Sequence, residues 1–335
     1  MSFSTALSLA AGYALQLHLP YLAPMFALLL TMHPAPPPGP KKLLAIITVI
    51  PLTLGIGLLL IPLLVYYPLP AVLLVGLGLY ASFYLTVNKG KAILGLFLTM
   101  GLTLISAAGT LSSVLAALVI QSLVISVAVA ILSQWLVYPF FPEDSNSAKA
   151  KPEPDESPQQ SSWIALRATL IMLPAYFLVL SNPSLYLPVI MKSVSLSQQS
   201  SLISARNAGR ELLGSTFLGG CFAIAFWGAL GLATNLWMFF LWTLLFTSYF
   251  AAKIHGVIAS RFPPSFWQNI AVTMLILLGS AVMDSNNGKD VYVAFYTRMS
   301  LFIAVTLYAW LTVYLLEIWR GRRIDSREST EPSPC

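Results

Sequence analysis

Apolar residues run in long blocks along this chain, and short polar or proline-rich stretches punctuate them. Twelve apolar segments stand out, at roughly 3–18, 20–32, 43–66, 70–87, 92–109 and 111–138, then 163–180, 184–200, 208–231, 234–252, 265–283 and 294–319. Most reach the roughly 17–25 residues that a helix needs to cross a bilayer. The block at 20–32 is too short, at about 1.5 Å per residue. It reads instead as the return limb of a tight hairpin broken at Pro20. Such breaks survive at membrane depth only where protein or a wet cavity satisfies the backbone.

Two segments interrupt the pattern. The stretch "PAPPPGP" at 34–40 predicts a stiff polyproline II connector. The stretch "EDSNSAKAKPEPDESPQQSS" at 143–162 mixes both charge signs with Pro and Ser and predicts a disordered linker. These divide the chain into a first six-helix membrane repeat at 1–138, a linker at 139–162, a second six-helix repeat at 163–319 and a basic tail at 320–335. The expected fold is an all-α polytopic membrane protein of about twelve transmembrane or re-entrant helices in two parallel repeats. The halves echo each other at an offset near 163. "YALQLHLP" from Tyr13 matches "YFLVLSNP" from Tyr176, and the glycine helices near Gly55 and Gly214 follow in the same order.

Composition sharpens this reading. The chain is 57% hydrophobic and only 9% charged, against about 25% charged in an ordinary soluble domain. The net charge of +6 does not point to nucleic acid, because orientation in the bilayer accounts for it. With the N-terminus in the cytoplasm, one side receives Lys41, Lys42, Lys89, Lys91, Lys149, Lys151, Arg206, Arg210, Lys253, Arg261, Arg320, Arg322, Arg323 and Arg327. The other side receives Lys289 alone. That bias follows the positive-inside rule and places both termini in the cytoplasm. Residues 1–40 hold no Lys or Arg, so the start does not read as a cleavable signal. Tyr66, Tyr67, Tyr138, Trp163, Trp267 and Trp319 fall near span ends, as interfacial aromatic anchors do.

Three cations fall inside candidate spans: Arg167, Lys192 and Arg298. An ammonium near the bilayer centre costs about 2.5–3.5 kcal/mol on insertion scales, so it usually faces a cavity or a partner. Lys192 lies about 14 Å down a helix from Pro183, with no acidic residue between Glu156 and Glu211. It either lines an anion path or snorkels to the interface, since the chain turns polar just after it. Arg298 is either clasped by Asp284 or Asp290 or forms an anion gate on the far side. Arg167 reads as snorkelling, with an anion contact as the alternative. Arg206 and Arg210, four apart, share a helix face and either attract anions or anchor the helix. His18, beside the Pro20 break, is either a packing histidine or a titrating one. The small residues Ser215, Thr216, Gly219 and Gly220 predict close helix packing. No phosphate-binding loop, HExxH, GxSxG or Cys/His cluster occurs. The chain therefore reads as neither an enzyme nor a metalloprotein, and no cofactor is expected.

The chain resembles the fusaric acid resistance superfamily of inner-membrane proteins, in a short branch of unknown function. The resemblance rests on the Pro-containing hairpin "LPYLAPMFALLLT", on Arg210 leading into Gly214, Gly219 and Gly220, and on the six-plus-six layout. It implies the bacterial inner membrane and efflux of aromatic or other organic acids, in larger members with a periplasmic membrane-fusion protein as partner. The chain departs from the pattern in having only a linker where many relatives carry a cytoplasmic domain. The first half also lacks an arginine ahead of its glycine helix. The combined expectation is an exporter of small organic anions with a cationic cavity between the two halves. The alternative is a non-transporting scaffold subunit of an efflux assembly.

Overall fold

The computed structural model describes residues 1–32, 36–142, 158–200 and 205–328. All regular structure among them is helical, in twelve helices. In the first half these are α1 (Ser2–Ala14), α2 (Leu22–Thr31), α3 (Pro40–Tyr66), α4 (Pro68–Lys89), α5 (Ala92–Leu111) and α6 (Ser113–Val137). In the second they are α7 (Pro158–Ser181), α8 (Pro183–Ser200), α9 (Ala205–Leu230), α10 (Leu236–Ile254), α11 (Pro264–Asn286) and α12 (Val291–Glu328). Helix α5 passes through one π-helical turn at Gly101–Ile105.

Local chemistry fixes the helix ends. Proline opens α3, α4 and α11, where its missing N–H has no helical partner to lose. Ser112 and Asn235 cap α6 and α10, accepting the N–H groups of Val114 and Met238 at 3.2 and 2.7 Å. Gly90 closes α4 with φ 62°, a conformation that glycine adopts without strain. The first helix stops at Ala14, short of the expected 18. The chain turns there through Gln16 at φ 49°, and a side chain at Gly12 would sit 2.7 Å from the Pro20 carbonyl. The segments 3–18 and 20–32 thus form a short, tight hairpin. Helix α7 starts at Pro158, inside the stretch expected to be linker. The rest of that linker, 143–157, lies outside the described residues. The proline connector is tied down at Pro38, whose carbonyl accepts the Trp135 indole N–H at 2.8 Å.

Among the described residues, nine helices are long and apolar enough to cross a membrane: α3 to α7 and α9 to α12. Their burial is uneven. Of the apolar stretch in α11, 83% is buried, and in α5, 72%, against 28% in α3, α4 and α10. Helices α2 and α8 are also sunk in the core, with Leu22–Leu28 and Val189–Val194 buried. The architecture is therefore a central quartet of α2, α5, α8 and α11 inside a shell formed by the other helices. The shell exposes leucines such as Leu52, Leu59, Leu69 and Leu73, a surface suited to lipid and not to water.

The packing repeats. In the first half α1 packs on α2 and α6, α2 on α6, α3 on α4, α5 and α6, and α5 on α4 and α6. Adding six to every helix number reproduces each of these contacts in the second half, which has one more, between α8 and α11. The contacts between halves pair up the same way: α1 with α10 and α4 with α7, α2 with α11 and α5 with α8.

This arrangement corrects the expected cavity between the halves. The seam is close-packed. Tyr21 lies against Gly279 and donates its hydroxyl to the Met191 sulfur at 3.5 Å. Ser106 and Tyr176 share a hydrogen bond at 2.9 Å, and one apolar cluster runs across both halves. The short helices α2 and α8 occupy the volume that a passage along the axis would need.

Candidate anion site in the second half

Helices α9, α11 and α12 meet near the basic helix ends, around a cavity of about 490 Å³ lined by Gly209, Arg210, Gly214, Phe262, Phe266 and Trp310. Arg210 is exposed and has no ion pair among the described residues. Phe262 and Phe266 stack at 4.2 Å with ring planes 12° apart. The Trp310 indole lies directly over Gly209, where a side chain would meet Nε1 at 2.5 Å. Glycine is required there for the rings to close round the cavity. A guanidinium beside three aromatic rings offers one face for a carboxylate and another for an apolar body.

On α8, Lys192 is fully buried. Its ammonium donates to Asn269 Oδ1 and to Thr273 Oγ1, both at 2.7 Å. Asn269 donates in turn to Ser215 Oγ at 2.6 Å. This chain joins α8, α11 and α9. The last two helices can share it because they touch at Gly219, where a Cβ would stand 2.8 Å from that of Thr273 and 3.0 Å from the Ile270 carbonyl. Lys192 does not snorkel, and no carboxylate pairs with it among the described residues. A buried ammonium held only by an amide and a hydroxyl is a charge without a counter-ion.

The other intramembrane cations are neutralised. Arg298 pairs with Asp284, which also lies 4.0 Å from Lys289 Nζ. It is a clasp between α11 and α12 and not an anion gate. Arg167 is 5% exposed and pairs with Glu317 at 2.9 Å, so the snorkelling expectation is overturned. Above that pair Trp163 stacks on Trp319 at 6.0 Å, and Arg320 sits 5.7 Å from the Trp163 ring centre. His18 is exposed in the turn between α1 and α2, away from this cluster. The side chain of Arg206 lies outside the described residues.

Of the candidate residues expected from sequence, Arg210 lines the cavity, Lys192 is joined through Asn269 to Ser215 on the same helix as Arg210, and Arg298, Arg167 and His18 lie apart from both. Sequence reasoning misses Asn269, Thr273 and the three aromatic residues. Asn269 carries a readable signal, because it is an amide inside an otherwise apolar span. For Ser215 the sequence suggests packing alone.

Comparison with known proteins gives one match. Residues 1–137 match the family described as a protein of unknown function, DUF2955. No family model named for fusaric acid resistance matches the chain. The match covers less than half of the 335 residues and stops at the last residue of α6. No curated protein and no solved structure matches the chain.

Proposed function

We propose that this protein is a transporter that exports small organic anions, aromatic carboxylates among them, and that the Arg210 cavity is where they bind. The observation that carries the reading is an unpaired guanidinium and three aromatic rings around about 490 Å³, large enough for a small ligand. Fixed cations raise the local concentration of anions, and a guanidinium binds a carboxylate through two parallel hydrogen bonds. The sequence carries no catalytic motif, which favours transport over chemistry. The crowding of Lys and Arg at one set of helix ends supports cytoplasmic termini, and the resemblance noted above supports the bacterial inner membrane.

Purified protein in liposomes tests this. Benzoate is expected to cross faster than in empty liposomes. Arg210→Ala should weaken benzoate binding about ten- to a hundredfold, the worth of about 1.5–3 kcal/mol for a charged hydrogen bond. Flux equal to that of empty liposomes would exclude the reading for this class of anion.

A further inference from the structure

We propose that Lys192, Asn269 and Ser215 form a second, inner anion site in series with the Arg210 cavity, and that the Phe266 ring is the gate between the two. The proposal rests on the transport reading above and gives the path its direction through one half of the molecule.

The order of residues along two helices carries it. On α9, Arg210 and Gly214 line the cavity, and Ser215 follows at once. On α11, Phe266 lines the cavity, and Asn269 lies one turn further on the same face. Phe266 is 4% exposed, and its ring lies against Gly214, 3.4 Å from where a Cβ would stand. The Phe266 ring thus touches Gly214, the residue before Ser215, and stands one turn before Asn269. Its stacking partner Phe262 is 46% exposed and lies in the loop before α11, on the solvent side of the pair.

The inner group is built to take a negative charge. Two of the three N–H donors of Lys192 are used by Asn269 and Thr273, and the third has no acceptor among the described residues. One N–H of the Asn269 amide goes to Ser215, which leaves the other for a ligand. A carboxylate entering past Phe266 would supply the counter-ion that Lys192 lacks, and it would exchange water for fixed donors. A purely structural lysine would need none of this. The corresponding position in the first half is nine residues past Pro20, as Lys192 is nine past Pro183, and it is Leu29.

The test is thiol accessibility in the full-length protein in liposomes, with Cys221 and Cys335 replaced by Ser and Ser215→Cys introduced. The probe is an anionic methanethiosulfonate. Labelling at position 215 should be slow with Phe266 present and about tenfold faster in Phe266→Ala, as for a gated site. Phe266→Leu should fall between, and it serves if the alanine variant does not fold. Benzoate should slow labelling in each case, and Lys192→Met should remove that protection while labelling continues. A thiol at position 215 that stays unlabelled in every background overturns the inner site, as does labelling indifferent to residue 266, or protection that survives Lys192→Met. Arg210-dependent benzoate flux with no labelling at position 215 would overturn the inner site alone. No flux and no benzoate protection in any background would overturn the transport reading itself.

Discussion

The two halves share a packing pattern and differ in what it encloses. In the first, α5 and α6 carry no Asp, Glu, Lys or Arg at all, and α1 and α2 carry none either. In the second, α7, α8, α11 and α12 hold Arg167, Lys192, Asp284 and Arg298 largely out of contact with solvent. The contrast is sharpest where the inner helices cross. Gly57 of α3 abuts Gly101 of α5, as Gly219 of α9 abuts Thr273 of α11. Four residues before these contacts stand Phe97 and Asn269. Phe97 packs on Phe26 with ring centres 5.5 Å apart, while Asn269 holds Lys192. The first half also has a cavity, about 470 Å³, but Ile46, Val49, Ile50 and Leu94 line it with Lys91 as its one charge. One scaffold thus serves twice, once as an apolar support and once with polar groups added at the same crossing. Close packing of the helices does not require those groups.

The charged clasp of the second half should show the largest effect on stability. Asp284→Ala leaves the largely buried Arg298 without its carboxylate, at a cost of about 3–5 kcal/mol. Adding Arg298→Met should restore most of the loss, because a neutral pair of similar volume avoids the desolvation of both charges. Thermal unfolding in detergent reads both. Equal stability of Asp284→Ala and the parent would mean that the clasp does not form. The crossing itself gives the next effect. Asn269→Leu strands the Lys192 ammonium on Thr273 alone and should cost about 1–3 kcal/mol. Phe97→Leu, at the matching place in the first half, exchanges one apolar group for another and should cost under about 1.5 kcal/mol. A larger loss for Phe97→Leu would reverse the comparison.

Much of this is legible in the chain, and the failures have physical causes. Bilayer thickness demands long apolar runs, so most helices lie within a few residues of where the hydropathy pattern puts them. Helix α1 ends early because of one left-handed residue, Gln16, and hydropathy is blind to backbone handedness. Lys192 stands out because a cation at that depth is costly. Its partner Asn269 is 77 residues away, and Glu317 is 150 residues from Arg167, so no local pattern links them. A passage between the halves follows only if the cations line a shared axis. That premise ignores α2 and α8, which fill the centre with their own side chains.

Glycines at the crossings give a finer comparison within one helix. Gly57→Ala puts a methyl onto the Gly101 carbonyl, which is backbone and cannot turn aside. The helices must separate, at about 1–3 kcal/mol. Gly55→Ala meets nothing within 4 Å and, in a helix interior, should be neutral or stabilising by about 0.5–1 kcal/mol. Equal thermal shifts for the two would show that α3 and α5 do not touch at Gly57.

The smallest effect should separate the halves most cleanly. Lys91 and Arg210 both border a cavity at the same set of helix ends, and both are exposed. If cationic charge near a helix end were all that benzoate flux requires, Lys91→Ala and Arg210→Ala would slow it alike. Lys91 borders a largely apolar cavity with no buried cation beside it among the described residues, so an anion drawn there has nowhere to go. Its removal should change little beyond the usual ±0.5 kcal/mol of a surface substitution, about twofold in rate. Flux that falls as far in Lys91→Ala as in Arg210→Ala would mean that both halves conduct, and that the polar crossing at Asn269 does not decide the path.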